Sequence, residues 1–141
     1  MRTLLNVLSV VILAAFAMMA AGSLESEEST ERQVANQTPD LTVSAVRLYA
    51  DYDSNEVAAD QKYKGKTLLV SGTVNDIGKD IMGTMYVTLV GHGVIGQVQC
   101  FFAKSHAGEL AGLSKGMSVS VKGRCDGKMM NVMMKGCTLQ R

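Results

Sequence analysis

The chain contains no Trp, a single Pro (Pro39) and only 5% aromatic residues, which excludes a core built on large rings. Ten Met supply the missing bulk, and methionine fills irregular gaps while specifying a core loosely. Three Cys form an odd set, which excludes a complete disulfide framework. The Cys residues make no close pair, and His92 and His106 sit singly in loop positions, so no metal ligand set is expected. Nothing arranges Ser or Cys beside a His with an orienting acid, and no Gly-rich phosphate loop opens a helix. Neither a catalytic residue nor a cofactor is expected. The chain reads as a binding protein rather than an enzyme.

At 141 residues there is room for one domain and a targeting segment. After Met1-Arg2, residues Leu4 to Ala21 are almost continuously apolar, and Ala20-Ala21-Gly22 places small residues where a signal peptidase could cut. Residues 1–22 are therefore read as a signal peptide, with a retained membrane anchor as the rival. Eighteen residues lie near the lower limit for crossing ~30 Å of hydrocarbon. No Cys follows the small residues, so bacterial lipidation is excluded. The expected location is exported, periplasmic or extracellular; the alternative is attachment to the inner membrane by residues 4–21. Residues 23–40 are rich in Glu, Ser, Thr, Gln and Asn and carry little apolar content, so a flexible acidic linker is expected there.

Net charge is only +1, but it is unevenly placed. From Lys62 to Arg141 eleven Lys and Arg face four acids, whereas residues 23–61 hold nine acids and two bases. A basic domain can attract polyanions; equally, the acidic segment and the basic domain can neutralise each other. Thr42 or Ser44 can cap a helix carrying Val46, Tyr49 and Ala50 on one face, and Asn55 breaks or restarts it before Glu56. Tyr49, Tyr52 and Val57 are expected to pack against the domain that follows.

Between Lys66 and Leu139 the pattern changes to period two. Five strands are expected at Lys66–Val74, Thr84–Val90, Val94–Ala103, Met117–Cys125 and Lys128–Leu139. Gly72 marks a sharp bend, residues 75–83 the first loop, Gly91-His92-Gly93 a turn, Asp126-Gly127 a hairpin turn and Gly136 a bulge. A short helix, Ser105–Leu113, falls between strands three and four and would plug one open barrel end. Three strands, a helix and a hairpin is the order of the OB-fold, a five-stranded Greek-key barrel. Residues 41–141 are assigned to it: mainly β, with an N-terminal helix.

Several stretches carry a family likeness. They are Asn55 to Asp60, Tyr63-Lys64-Gly65-Lys66, Val70-Ser71-Gly72-Thr73-Val74, Val98-Gln99-Cys100-Phe101-Phe102, Lys115-Gly116-Met117 and Gly123-Arg124-Cys125, with the late Cys137. Over residues 41–139 the sequence resembles the bacterial tRNA_anti-like family, small exported OB-fold proteins named for similarity to anticodon-binding domains. The resemblance implies the fold and, by its label, a nucleic-acid partner.

An OB-fold usually takes ligand on the face of strands two and three, between the one–two and four–five loops. Here that face would present Tyr86, Thr88, Gln97, Gln99 and Phe101, flanked by Lys79, Arg124 and Lys128. Bases stacking on Tyr86 and Phe101, with phosphates on the cations, would make a single-strand site. The plainer reading packs Phe101 under the N-terminal helix and leaves Tyr86 a surface β-former. Strands three and five are parallel neighbours, so Cys100–Cys137 is the favoured disulfide. An irregular fifth strand would revive Cys125–Cys137, and three buried free thiols remain the other reading. Two partner classes stay open: a single-stranded nucleic acid or other polyanion, and an envelope protein or glycan. Membrane contact is expected only through an uncleaved N-terminal segment.

Overall fold

The computed structural model describes residues 26–141; the expected signal or anchor, residues 1–22, lies outside them. In chain order the elements are α1 (Glu27–Ala35), β1 (Leu41–Ser44), α2 (Ala45–Ser54), α3 (Glu56–Tyr63), β2 (Thr67–Lys79), β3 (Met85–His92) and β4 (Gly96–Phe102). A 3-10 turn (Lys104–His106) runs into α4 (Ala107–Ala111), followed by β5 (Ser118–Lys128) and β6 (Val132–Gln140). No helix among these residues is long and apolar enough to cross a membrane.

The sheet order is β1-β2-β3-β4-β6-β5, and β2 also pairs with β5, which closes five strands into a barrel. One strand does both jobs. Residues 67–73 of β2 pair with β5, and residues 74–79 pair with β3. The register slips between Val74 and Asp76, so the strand bulges at Asn75 and continues to Lys79 through what the sequence suggested was loop. Inward residues Leu68, Val70, Val74, Val87, Leu89, Val98, Cys100, Phe102, Val121 and Met134 form the core. The short β1 adds a parallel edge strand on β2, pairing Leu41 with Leu68. That sixth strand was not anticipated.

Helices close the cylinder at both ends. Leu110 of α4 enters the core beside Ile77 and Met85, as expected of the helix between the third and fourth barrel strands. At the other end α2 inserts Ala45, Leu48, Tyr49 and Tyr52, a spacing of three and four. The expected face was rotated: Val46 and Ala50 are exposed, and Val57 of α3 is 72% exposed rather than packed. Glycines let Tyr49 in. A Cβ on Gly96 would sit 2.4 Å from its ring, and one on Gly91 would sit 2.8 Å from its Cβ.

Ser44 caps α2 through its Oγ, and Asn55 ends α2 and caps α3 by accepting from the Ala58 N–H. Two reciprocal bonds then brace the helix pair. Tyr52 donates to Asp60 Oδ1 at 2.9 Å, and Tyr63 donates to Asp51 Oδ2 at 2.6 Å, with the two rings stacked 6.2 Å apart. The Tyr63 hydroxyl holds the Asp51 carboxyl below its ordinary range, helped by Arg47 and Lys62.

Residues 26–37 do not behave as a flexible linker. Ser26 caps α1, which buries Thr30 and Val34. Gly136, at φ +60, provides the seat: a Cβ there would lie 2.7 Å from the Glu31 nitrogen and the Thr30 carbonyl carbon. Lys122, 9% exposed, donates to Ala35 O at 2.9 Å and Gln37 O at 3.1 Å. The Gly136 N–H donates to Glu27 Oε2 at 2.8 Å, and His106 Nε2 lies 3.0 Å from Glu31 Oε1. The segment looked too polar to pack because only Thr30 and Val34 of its side chains are buried.

Asp126-Gly127 is likewise not the hairpin turn. Gly127 takes φ +88 inside β5, where the register slips between Cys125 and Lys128, and the chain reverses at residues 129–131. Gly136 is the bulge expected of it and returns Cys137 to the core.

Candidate functional site

The outer face of β3 and β4 is defined by register. Tyr86 pairs with Phe101, Thr88 with Gln99 and Val90 with Gln97. Successive strand residues point to opposite faces, so with Val87, Leu89, Val98 and Cys100 inside, these six lie outside. The Tyr86 and Phe101 rings meet edge to face, 6.3 Å apart at 71°. Phe101 is buried outside the central core, whereas Tyr86 is half-buried. The Tyr86 ring also crosses Gly78, where a Cβ would lie 2.8 Å from its hydroxyl. An aromatic laid over a strand glycine pins the ring in place.

Below this pair the face turns to amides. Gln97 and Gln99 are half-buried, and Asn131 Nδ2 donates to Gln99 Oε1 at 3.2 Å. Thr88 sits between them and Tyr86 at 4% exposure, and its Oγ1 has no hydrogen-bond partner. An unmatched buried hydroxyl costs free energy, so the centre of this face holds an unused donor and acceptor.

The expected cationic flanks are mostly engaged elsewhere. Lys79, at the end of β2, is exposed and free of partners among the described residues. Arg124 donates from Nη1 to Gln33 Oε1 at 3.2 Å, held by α1. Lys128 turns toward α2, its ammonium 5.2 Å from the Tyr49 ring centre and 3.9 Å from Asp53 Oδ1. The structure therefore groups Tyr86, Gln97, Gln99 and Phe101, places Lys79 at their edge, and separates Arg124 and Lys128 from them. Thr88 and Asn131 complete the polar row. Thr88 was legible from its alternation with core residues, whereas Asn131, in the turn before β6, carried no periodic signal.

All three cysteines are buried free thiols. Cys137 lies beside Cys100, so the favoured pair is adjacent but not bridged, and burial pushes the Cys137 thiol well up. Cys125 instead contacts the Tyr52 hydroxyl at 3.6 Å, and burial raises it too.

The geometry, a closed five-strand barrel with a helix between its third and fourth strands and an outer face between two loops, defines an OB-fold protein. A structure from Klebsiella pneumoniae subsp. pneumoniae MGH 78578, described as a "putative nucleic acid-binding lipoprotein", superposes with a TM-score of 0.58 at 19% identity. The match covers 78% of this chain and 97% of that one, and it is a likeness of fold. OBody AM3L09, solved bound to hen egg-white lysozyme, superposes at a TM-score of 0.43 and 16% identity over 57% of this chain and 86% of that one. No curated protein matches the sequence. The model of the tRNA_anti-like family matches residues 1–138, and the chain belongs to that family.

Proposed function

We propose that this protein is an exported OB-fold binding module without catalytic activity, whose ligand is a single-stranded nucleic acid laid across the outer face of β3 and β4. The observation that carries the reading is the half-open row Tyr86, Gln99 and Gln97, with the buried Thr88 hydroxyl unpaired between them. Tyr86 offers one stacking platform, Gln97 and Gln99 offer amide edges to bases, and Lys79 meets a phosphate. The family label and the description of the Klebsiella neighbour as nucleic-acid binding point the same way.

With Arg124 and Lys128 held elsewhere, few phosphates are neutralised, so the affinity should fall with salt by a slope of only about one or two charges. Titration of a fluorescent oligothymidylate across a salt series tests this. Binding that persists near ~0.15 M salt and weakens about fivefold or more in Tyr86→Ala supports the reading. Absence of binding at low salt overturns it.

A second reading rests on the same diversion of charge. A face of amides, one hydroxyl and one aromatic also fits a neutral glycan or an envelope protein. Retained binding of a neutral oligosaccharide with no oligonucleotide binding would favour it.

A further inference from the structure

At the α4 end the barrel leaves part of its apolar interior open. α4 presents Ala107, Leu110 and Ala111 on one face, at spacings of three and four. Leu110 is buried, but the two alanines are exposed and too short to cover Ile77 and Met85, which stay half-buried. The result is a cleft of about 290 Å³ between α4 and the ends of β2 and β3, floored by these five side chains.

Lys79 stands at its rim. It lies two residues beyond Ile77, on the same strand face, and pairs in register with Met85. The acids nearby are turned elsewhere. Asp80 Oδ1 accepts from the Met82 and Thr84 N–H groups at 2.9 Å each, and Glu109 Oε1 lies 3.4 Å from His106 Nδ1. An ammonium without a counter-ion among the described residues therefore borders an apolar floor.

That combination sets this cleft apart. The one beside the start of α1 carries Glu27 and Glu28 with Lys104, and the one over Asn55 carries Asp51 with Lys62. The groove on the outer face of β2 and β5 holds the hydroxyls of Ser71, Thr73, Ser118 and Ser120 and no charge.

We propose that the cleft beneath α4 binds an aliphatic carboxylate, its chain laid over Ile77, Met85 and Leu110 and its headgroup on the Lys79 ammonium. A volume of this size lies at the lower end for small-molecule sites, so it takes one unbranched chain rather than two. Apolar contact supplies the affinity, and each methylene added to the chain tightens binding about three- to fourfold until the floor is covered. The charge chooses the headgroup, since an exposed ion pair adds about two- to fivefold.

The ten Met supply the reporters. The purified chain, labelled with carbon-13 at its methionine methyls, is titrated with hexanoate, octanoate, decanoate and decanol. The expected result is a saturable shift of the Met85 methyl that tightens with chain length. Met129 and Met130, exposed at the opposite end of the barrel, should stay still. Ala111→Leu, at an exposed helix position, fills the cleft and should abolish the response with circular dichroism unchanged. Lys79→Gln should keep decanol binding and lose the preference for decanoate over it. An unmoved Met85, or parallel shifts at Met85, Met129 and Met130, overturns the proposal. So does an unchanged response in Ala111→Leu, or decanol binding as tightly as decanoate in the native chain. Lys79 also serves the nucleic-acid reading, so oligonucleotide is kept out of the readout and the two inferences fail independently.

Discussion

The barrel has two outer faces, and they treat charge in opposite ways. On β5 and β6 the cations Lys122 and Arg124 are bound to α1, and a glycine is reserved to seat the helix backbone. On β3 and β4 no helix intervenes; a pinned tyrosine, two glutamines and an unpaired threonine hydroxyl remain. The difference teaches that a basic surplus in composition does not by itself mark a binding surface. Here the surplus is partly structural, holding an acidic helix in place.

The largest effect expected from breaking this contrast comes from Gly136→Ala. It combines a left-handed backbone cost of ~1–2 kcal/mol with a clash against Thr30 and Glu31. A loss of about 2–4 kcal/mol in urea unfolding, with new protease cleavage in residues 26–37, is expected. Unchanged protection of that segment would mean the covered face is not built around the helix.

Lys122→Met should cost about 2 kcal/mol, since charge-assisted bonds to Ala35 and Gln37 are lost. Hydrogen exchange at Val34 would rise. Oligonucleotide affinity should stay the same, because this cation serves α1.

Tyr86→Ala should reverse the pattern. The edge-on contact with Phe101 is worth ~0.5–1.5 kcal/mol of stability beyond area, whereas loss of a base stack of ~1–3 kcal/mol weakens binding about fivefold or more. Parallel melting and titration curves would separate the two.

The smallest effect is a pH dependence of opposite sign in two helices. Burial raises the Glu27 carboxyl, against the Gly136 N–H and Lys135, so α1 docking is favoured below the ordinary value of 4.5 and weakens as pH rises through the folded value. The Asp51 carboxyl is depressed, so the α2–α3 brace is favoured above 3.8 and is lost as pH falls further. Between neutral and acid pH, exchange should slow at Val34 and quicken at Tyr63. Glu27→Gln keeps the acceptor and should remove the first trend.

The barrel was legible in sequence because strict alternation leaves one choice of inward face, and Leu68, Val87, Val98 and Val121 all lie on it. What the sequence concealed was long-range. Thr30 and Val34 are too few to look amphipathic, and their seat is on the far strand. β1 is four residues long, too short for a periodic signal. Gly127 has the composition of a turn, but its positive φ serves a bulge equally well. At the site, Tyr86, Gln97, Gln99 and Phe101 followed from alternation. Arg124 and Lys128 were assigned by position along the chain, which does not show that α1 and α2 would claim them.

The double duty of β2 bears on how the domain assembles. Its first half pairs with β1 and β5 and its second only with β3, and β6 joins β4 to β5, so the cylinder cannot close until the chain has been made through β6. Before then the strand has one ragged side, β1 adds to an unfinished edge, and the tyrosines of α2 have no floor to rest on. Such non-local closure is slow and nearly all-or-none, so this domain reaches its shape late, from an almost complete polypeptide.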